Sequence, residues 1–272
     1  MDKIIGFVGC GNMAQAMIGG IIDSGLVTSE NVYVSNPIVE QLDLVRLKYG
    51  VNVTNDNKQV AKVSDILIIA VKPHICDKVI KEVSQDLKDD VILISIAAGK
   101  TIKSLEAALG EKKVKIVRTM PNTPVQVGEG MSVIVKNGYA GNDDLKIAEE
   151  VFSSFGRVEY LDEKYFDGAT AVSGSSPACI YILIEALADA AVQAGIPRDK
   201  AYTMAAQTVK GAAEMVLETG IHPGELKDRV CSPGGTSIEA VAVLEKEGFR
   251  SAVISAIKAS AQKSKELSKD DK

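Results

Sequence analysis

Two stretches hold residues whose types and spacing can do chemistry. The first is Gly9-Cys10-Gly11-Asn12-Met13-Ala14, which follows the apolar run Ile4 to Val8. Its G-x-G-x-x-A spacing suits a strand-to-helix turn that receives a pyrophosphate. Gly9 permits the tight turn, Gly11 lets phosphate oxygens approach bare backbone, and Ala14 lets the helix lie close to the strand. Free N–H groups and the positive dipole end of the helix complete an anion site, to which Val8, Cys10, Asn12 and Met13 also belong. The bland alternative is an ordinary tight turn. The second stretch is Cys231-Ser232-Pro233-Gly234-Gly235-Thr236-Ser237-Ile238. Hydroxyls and exposed N–H groups at a helix start make a receptor for a carboxylate. Ser173-Gly174-Ser175-Ser176-Pro177-Ala178 is expected to break the later helices in the same way. Either stretch can instead be a capped helix start without function.

These residues need elements to position them. Ile4–Val8, Val32–Val34, Val51–Val53, Asp65–Val71, Val91–Ile96 and Val114–Arg118 read as strands, and helical segments separate them. Runs such as Asp65–Val71 are apolar without alternation, as in strands buried on both faces of a parallel sheet. Met131–Val135, a helix near Asp143–Phe155 and Val158–Leu161 finish this part. The fold expected is α/β, a Rossmann-type doubly wound parallel sheet with ligands beyond the carboxyl ends of its strands. That rule turns Ala70-Val71-Lys72-Pro73, Ala97-Ala98-Gly99 and Pro121-Asn122-Thr123 toward a cofactor. At the end of the second strand, where an acidic residue would grip a ribose 2′-OH, stand Ser35 and Asn36. A hydroxyl and an amide can donate to a 2′-phosphate, so the lean is to NADPH, with NADH still open. The same residues with Pro37 also make a good turn and helix start.

From about residue 163 no convincing strand appears. Tyr165–Ala171, Pro177–Ala194, Lys200–Leu217, Gly224–Val230, Ser237–Lys246 and Phe249–Leu267 read as helices. The domains expected are 1–162, dinucleotide-binding, and 163–272, all-helical. Pro177–Ala194 is apolar on most of its circumference and must be buried, within a domain or between subunits. It carries Glu185 and Asp189, which argues against a membrane span.

With 272 residues, 46% hydrophobic and 25% charged, the chain suits a soluble globular protein. A net charge of −5 without a basic stripe argues against nucleic acid. Four scattered cysteines form no C-x-x-C pair, and His74 and His222 stand far apart, so no metal is expected. The cysteines and the lack of a secretory signal point to the cytoplasm.

Taken together, Gly9-x-Gly11-Asn12-Met13-Ala14, Ala70-Val71-Lys72-Pro73, Met120-Pro121-Asn122-Thr123-Pro124, the Ser173–Ala178 stretch, His222-Pro223-Gly224-Glu225-Leu226-Lys227-Asp228 and Ser232–Ser237 resemble the pyrroline-5-carboxylate reductases over essentially the whole chain. The resemblance implies reduction of the cyclic imine 1-pyrroline-5-carboxylate to L-proline with NAD(P)H. It implies a helical dimerisation domain, a homodimer and, in many members, a decamer of five dimers. It also implies that the Ser232–Ser237 loop of one chain closes over the cofactor of the other. Carried over by position, Ser35 and Asn57 meet the adenosine 2′-phosphate. Ala70 to Pro73 with Ala97 and Ala98 line the cofactor, and Ser232 contacts the substrate carboxylate. The Ser237 hydroxyl reaches the ring nitrogen; Gly234, Gly235 and Thr236 belong to the same substrate loop. The family usually has Thr at Ser237 and Gly at Ser176. A β-hydroxyacid dehydrogenase, the nearest rival enzyme, needs a lysine on the first long helix of its second domain, and Pro177–Gly195 has none. A sensor that binds NADP(H) without turnover would not need a carboxylate receptor.

Overall fold

Side-chain alternation along the strands builds two cores, one on each face of a central sheet. A computed structural model describes residues 1–269. The strands are β1 (Ile5–Val8), β2 (Val32–Ser35), β3 (Asn52–Thr54), β4 (Ile66–Ile69), β5 (Ile92–Ser95), β6 (Lys115–Met120), β7 (Gly130–Lys136) and β8 (Gly156–Tyr160). Between them run α1 (Asn12–Asp23), α2 (Val39–Tyr49), α3 (Asn57–Val63), α4 (Pro73–Val83), α5 (Ile102–Leu109) and α6 (Asn142–Ser153). Ile5, Phe7, Ile66, Ile68, Ile92 and Ile94 point to the face covered by α1, α2 and α6. Val8, Leu67, Ile69 and Leu93 point the other way, onto α3, α4 and α5. This double burial is why these strands read as unbroken apolar runs.

The sheet order is β3-β2-β1-β4-β5-β6-β7-β8, and the first six strands are parallel in the expected doubly wound arrangement. The sheet is not parallel throughout, however. β7 pairs antiparallel with β6, and β8 is parallel to β7. The link from Met120 to Gly130 holds only a short 3-10 turn, Thr123–Val127. It is too short to carry the chain back for a parallel crossover, so β7 returns as a hairpin partner.

The later helices are α7 (Phe166–Ala169), α8 (Ser176–Gln193), α9 (Arg198–Thr219), α10 (Pro223–Val230), α11 (Thr236–Lys246) and α12 (Phe249–Lys269). Ser173–Ala178 is not the loop expected from its composition. Thr170–Ser175 forms a π-helical turn that joins α7 to α8, so helix runs without a break from Glu163 to Gln193. Pro177 explains the distortion: it lacks an N–H, and its ring crowds the carbonyl four residues back, that of Ser173. Asn122 Nδ2 donates to this Ser173 carbonyl at 2.9 Å, while Asn122 Oδ1 accepts from the Met131 N–H at 2.8 Å. The start of the run is held by Glu163, whose carboxylate accepts from Arg118 at 2.8 Å and from the Ile102 N–H at 2.7 Å.

Contacts divide the chain into two compact units: Met1–Gly174 together with the chain from Ser260 onward, and Ser175–Ala259. The last turns of α12 join the first unit through Ser264 Oγ, which donates to the Asp167 carboxylate at 2.6 Å. In the second unit α8 and α9 form a hairpin around Ala188, Ala201 and Ala205. Little else is buried there, and Tyr181 and Ile182 are 61% and 67% exposed.

Candidate active site

The strand register gathers the expected cofactor loops at one edge. Val8 stands beside Ser35 and Ile69, and Ile69 beside Ser95, so the chain leaves β1, β2, β4 and β5 at the same level. Gly9 N–H donates to the Ser35 carbonyl at 2.9 Å, and Ala70 N–H to the Val8 carbonyl at 2.8 Å. Gly9, Cys10, Gly11, Asn12, Asn36, Ala70, Val71, Lys72, Pro73, Ala97 and Ala98 are thereby brought to the carboxyl-terminal edge.

Gly9 and Gly11 are required for different reasons. Gly9 has φ 104°, and a β-carbon there would stand 2.5 Å from the Ala70 carbonyl oxygen. The fold itself needs that glycine. Gly11 is the N-cap of α1 with φ −74° and ψ 178°, an extended conformation open to any residue. A β-carbon on Gly11 would meet no atom within 4 Å. The fold does not need it, and what its bare backbone reserves is space at a helix N-terminus. No side chain caps α1, and no acidic residue lies in its first turn. Such a cradle fits the pyrophosphate of a dinucleotide. Val8 and Cys10 are buried and offer backbone only, whereas Met13 is half-buried. Burial pushes the Cys10 thiol up to about 11, against a hydrogen bond with Gln15 that lowers it. The thiol therefore stays neutral at neutral pH. Gln15 Nε2 also donates to the Cys10 carbonyl at 3.0 Å, a support that no motif announces.

The residues expected at the adenosine end are more committed than the sequence suggests. Ser35 is fully buried, and its hydroxyl donates to Asn57 Oδ1 at 2.8 Å. Asn36 Nδ2 donates to Gln41 Oε1 at 2.8 Å and to the Ile38 carbonyl at 3.3 Å. Asn57 opens α3, where Asp56 accepts from the Lys58 N–H as N-cap, and Asn57 Nδ2 donates to both oxygens of Glu82 at 3.2 and 3.3 Å. Glu82 lies on α4 and has no motif to mark it. Asn122, expected to face the cofactor, is only 8% exposed and engaged with Ser173 and Met131. Lys72 is the N-cap of α4, and Pro73 opens that helix.

In the second unit, Ser232, Gly234, Gly235, Thr236 and Ser237 form one structure. The Gly235 N–H donates to the Ser232 carbonyl at 3.0 Å, closing a turn with Pro233 at its second position and Gly234, φ 67°, at its third. That is the geometry in which proline and a left-handed glycine are favoured. Gly235 then caps α11 with no side-chain hydrogen bond, so Thr236 and Ser237 occupy its first turn. Ser232 and Thr236 are exposed and Ser237 half-buried. Uncapped N–H groups, three hydroxyls and a dipole end lie there, which suits a small carboxylate with a polar neighbour. An open groove of about 840 Å³ flanks α1 and is lined by Gln15, Asp23, Lys48, Tyr49 and Val127 among others. It shares only Asn12 with the cradle at the start of α1. Among the described residues, no group of three or more His, Cys, Asp or Glu could hold a metal ion.

Residues 163–267 match a family model described as pyrroline-5-carboxylate reductase dimerisation, and residues 4–99 match one described as NADP oxidoreductase, coenzyme F420-dependent. A pyrroline-5-carboxylate reductase of Escherichia coli is 47% identical over 269 residues, covering 99% of this chain and all of its own. The structure of the reductase from Coxiella burnetii superposes with a TM-score of 0.92 at 37% identity, covering 98% of this chain and 99% of its own. That of the Plasmodium falciparum enzyme with NADP bound gives 0.87 at 35% identity, covering 98% of both chains.

Proposed function

The chain belongs to the pyrroline-5-carboxylate reductase family, and from that membership we propose the part each of its residues takes in the last step of proline biosynthesis. The observation that carries this function is that one chain holds both a pyrophosphate cradle at α1 and an uncapped, hydroxyl-lined turn at α11. The cofactor is NADPH, with NADH as a second donor. Backbone at Val8, Gly9, Cys10, Gly11, Asn12 and Met13 receives its pyrophosphate. Ser35 and Asn57 stand at the adenosine 2′-phosphate with Asn36 beside them, and Ala70, Val71, Lys72, Pro73, Ala97 and Ala98 line the remaining length.

When bound, NADPH supplies the hydride that adds to the imine carbon of 1-pyrroline-5-carboxylate. Ser232 and the backbone of Gly234, Gly235 and Thr236 hold the substrate carboxylate against the positive end of α11. Ser237 Oγ accepts from the protonated ring nitrogen and so keeps the proton where it raises the electrophilicity of the carbon. The C=N π pair becomes the nitrogen lone pair, and the product is the secondary amine of L-proline. No proton leaves carbon, so the site needs no strong general base, and position and exclusion of water do most of the work.

Subunits pair through α8. Its exposed Ile180, Tyr181, Ile182 and Leu187 support this, as does the dimerisation model over 163–267. The run Glu163–Gln193 is long and apolar enough to cross a membrane by length and composition. Asp189, ion-paired with Arg198, and Glu185 on the same helix favour a second protomer over a bilayer. Five such dimers forming a decamer, and a cytoplasmic location, complete the proposal. The experiment is NADPH oxidation, followed by absorbance, with pyrroline-5-carboxylate or the 3-oxo partner of a β-hydroxyacid as acceptor. Turnover is expected with the first only. Ser237→Ala should lower it by about 10²-fold, as loss of one positioned polar group does, with NADPH affinity retained. Unchanged turnover in this variant would remove Ser237 from the mechanism.

A further inference from the structure

We propose that Glu82 sets the preference between NADPH and NADH by competing with the adenosine 2′-phosphate for Asn57. The inference rests on the cofactor assignment above and concerns one end of that site.

Three side chains from three elements form a chain: Ser35 at the end of β2, Asn57 at the start of α3 and Glu82 in the last turn of α4. The Ser35 hydroxyl has one hydrogen, and Asn57 Oδ1 at 2.8 Å is its nearer acceptor, against 3.4 Å to the Phe7 carbonyl. Ser35 is fully buried, so no water replaces that partner. With its oxygen engaged by Ser35, Asn57 turns its amide nitrogen outward, and that nitrogen is shared between both Glu82 oxygens at 3.2 and 3.3 Å. The opposite orientation would set the Asn57 oxygen against a carboxylate. Asn36, the remaining amide at this edge, is engaged by Gln41 and the Ile38 carbonyl. The donor best placed for a phosphate is therefore Asn57 Nδ2, and it is already held by an exposed carboxylate.

A 2′-phosphate that binds Asn57 must displace Glu82 and then tolerate its charge nearby. A ribose 2′-hydroxyl carries no charge and meets no such repulsion; it can even donate to the Glu82 carboxylate. Glu82 thus discriminates against the phosphate, and Ser35 holds Asn57 in the orientation that presents the contest. NADPH use persists because the Asn57 donor can change partner, but its margin over NADH is smaller than the neutral residues at β2 imply.

Calorimetric titration of NADPH and NADH into the whole protein tests this, with 2′,5′-ADP and 5′-AMP as fragments that lack the nicotinamide. Glu82→Gln keeps the shape and removes the charge, and Glu82→Lys reverses it. The ratio of NADPH to NADH affinity should rise about two- to fivefold in Glu82→Gln, and further in Glu82→Lys, as expected for one like charge at an exposed site. The fragments should follow the same order, and added salt should shrink the differences. Glu150→Gln on α6, on the opposite face of the sheet, makes the same change in net charge and should leave the ratio where it was. A ratio unchanged across both Glu82 variants would overturn the proposal, as would equal shifts in the Glu150 variant. A fall in NADPH affinity in Glu82→Gln would also overturn it, by showing that Glu82 holds Asn57 in place for the phosphate. If the wild-type protein binds neither NADPH nor 2′,5′-ADP, the cofactor assignment itself fails, an outcome distinct from an unchanged ratio.

Discussion

Gly11 and Gly9 show how differently two glycines of one motif can be required. Gly11→Val is expected to fold normally, because the position has ordinary dihedral angles and open space beside it. NADPH affinity should nevertheless fall by at least about tenfold, since branched carbons would occupy the phosphate position; titration and thermal unfolding check the two halves. Gly9→Ala should instead unfold at lower temperature, because its β-carbon meets the Ala70 carbonyl at φ 104°. That these loops gather at the carboxyl-terminal edge of the sheet is legible in sequence because spacing alone marks it. What spacing leaves out is the commitment of side chains to one another. Nothing in Ser35-Asn36 tells that both already have partners, since those partners, Asn57 and Gln41, are chosen by the way β2 meets α2 and α3.

At the scale of elements, strands and helices with strong period or apolar runs are placed by sequence to within a residue or two, and two features are not. The antiparallel turn into β7 depends on the length of its connection, and β-type residues carry no sign of direction. The π turn at Thr170–Ser175 reads as a loop because Ser, Gly and Pro are loop residues. It stays helical because Asn122, 51 residues earlier, takes up the carbonyl that Pro177 displaces. Asn122→Ala leaves the Ser173 carbonyl and the Met131 N–H without this partner. It should lower unfolding free energy by about 1–3 kcal/mol in denaturant titration, as expected for two half-buried groups that water can partly satisfy. The start of β4 gives a prediction with a pH dependence. Burial pushes the Asp65 carboxyl up, but hydrogen bonds from Lys88 Nζ and the Ile4 N–H, each 2.8 Å, and the lysine charge pull it lower still, below its ordinary value. A carboxyl lowered in the folded state adds stability that is complete above its unfolded pKa, about 4, and is lost as pH falls through its folded pKa. Asp65→Asn should therefore be less stable than the wild type at neutral pH, and the gap should close as pH falls through and below the ordinary carboxylate range. A gap that is constant with pH would assign the effect to packing.

For the whole molecule, the helical unit has a core of three buried alanines and large exposed apolar side chains on α8. So small a core does not sustain a free helical unit, which is why a second protomer is expected. An apolar helix is legible in sequence; what covers it is not, because a single sequence does not distinguish burial within a chain from burial between copies. Tyr181→Glu with Ile182→Glu should shift the protein toward monomer in light scattering and lower its melting temperature together. Subunit mixing tests the shared site that family membership implies. Gly11→Val protein mixed with Ser237→Ala protein, with exchange verified, should recover about a quarter of wild-type activity, since half the pairs are mixed and each holds one intact site. No recovery would mean that each chain serves its own cofactor.

One consequence follows from the path of α12. The chain leaves the first unit at Gly174 and returns to it at Ser260, so the helical unit is a parenthesis within the sheet-bearing one rather than an appendage. A protease that nicks the Ala194–Pro197 link would liberate neither piece, since each half remains joined to the same body, one through the Glu163–Gln193 run and the other through α12. Truncation after Gly174 would strip Asp167 of Ser264 and Ser268, whereas excising 175–259 and bridging the gap would keep both. Exchange of helical units between relatives would accordingly take two crossovers, one on either side, and a single breakpoint would leave a closing bracket from the wrong parent.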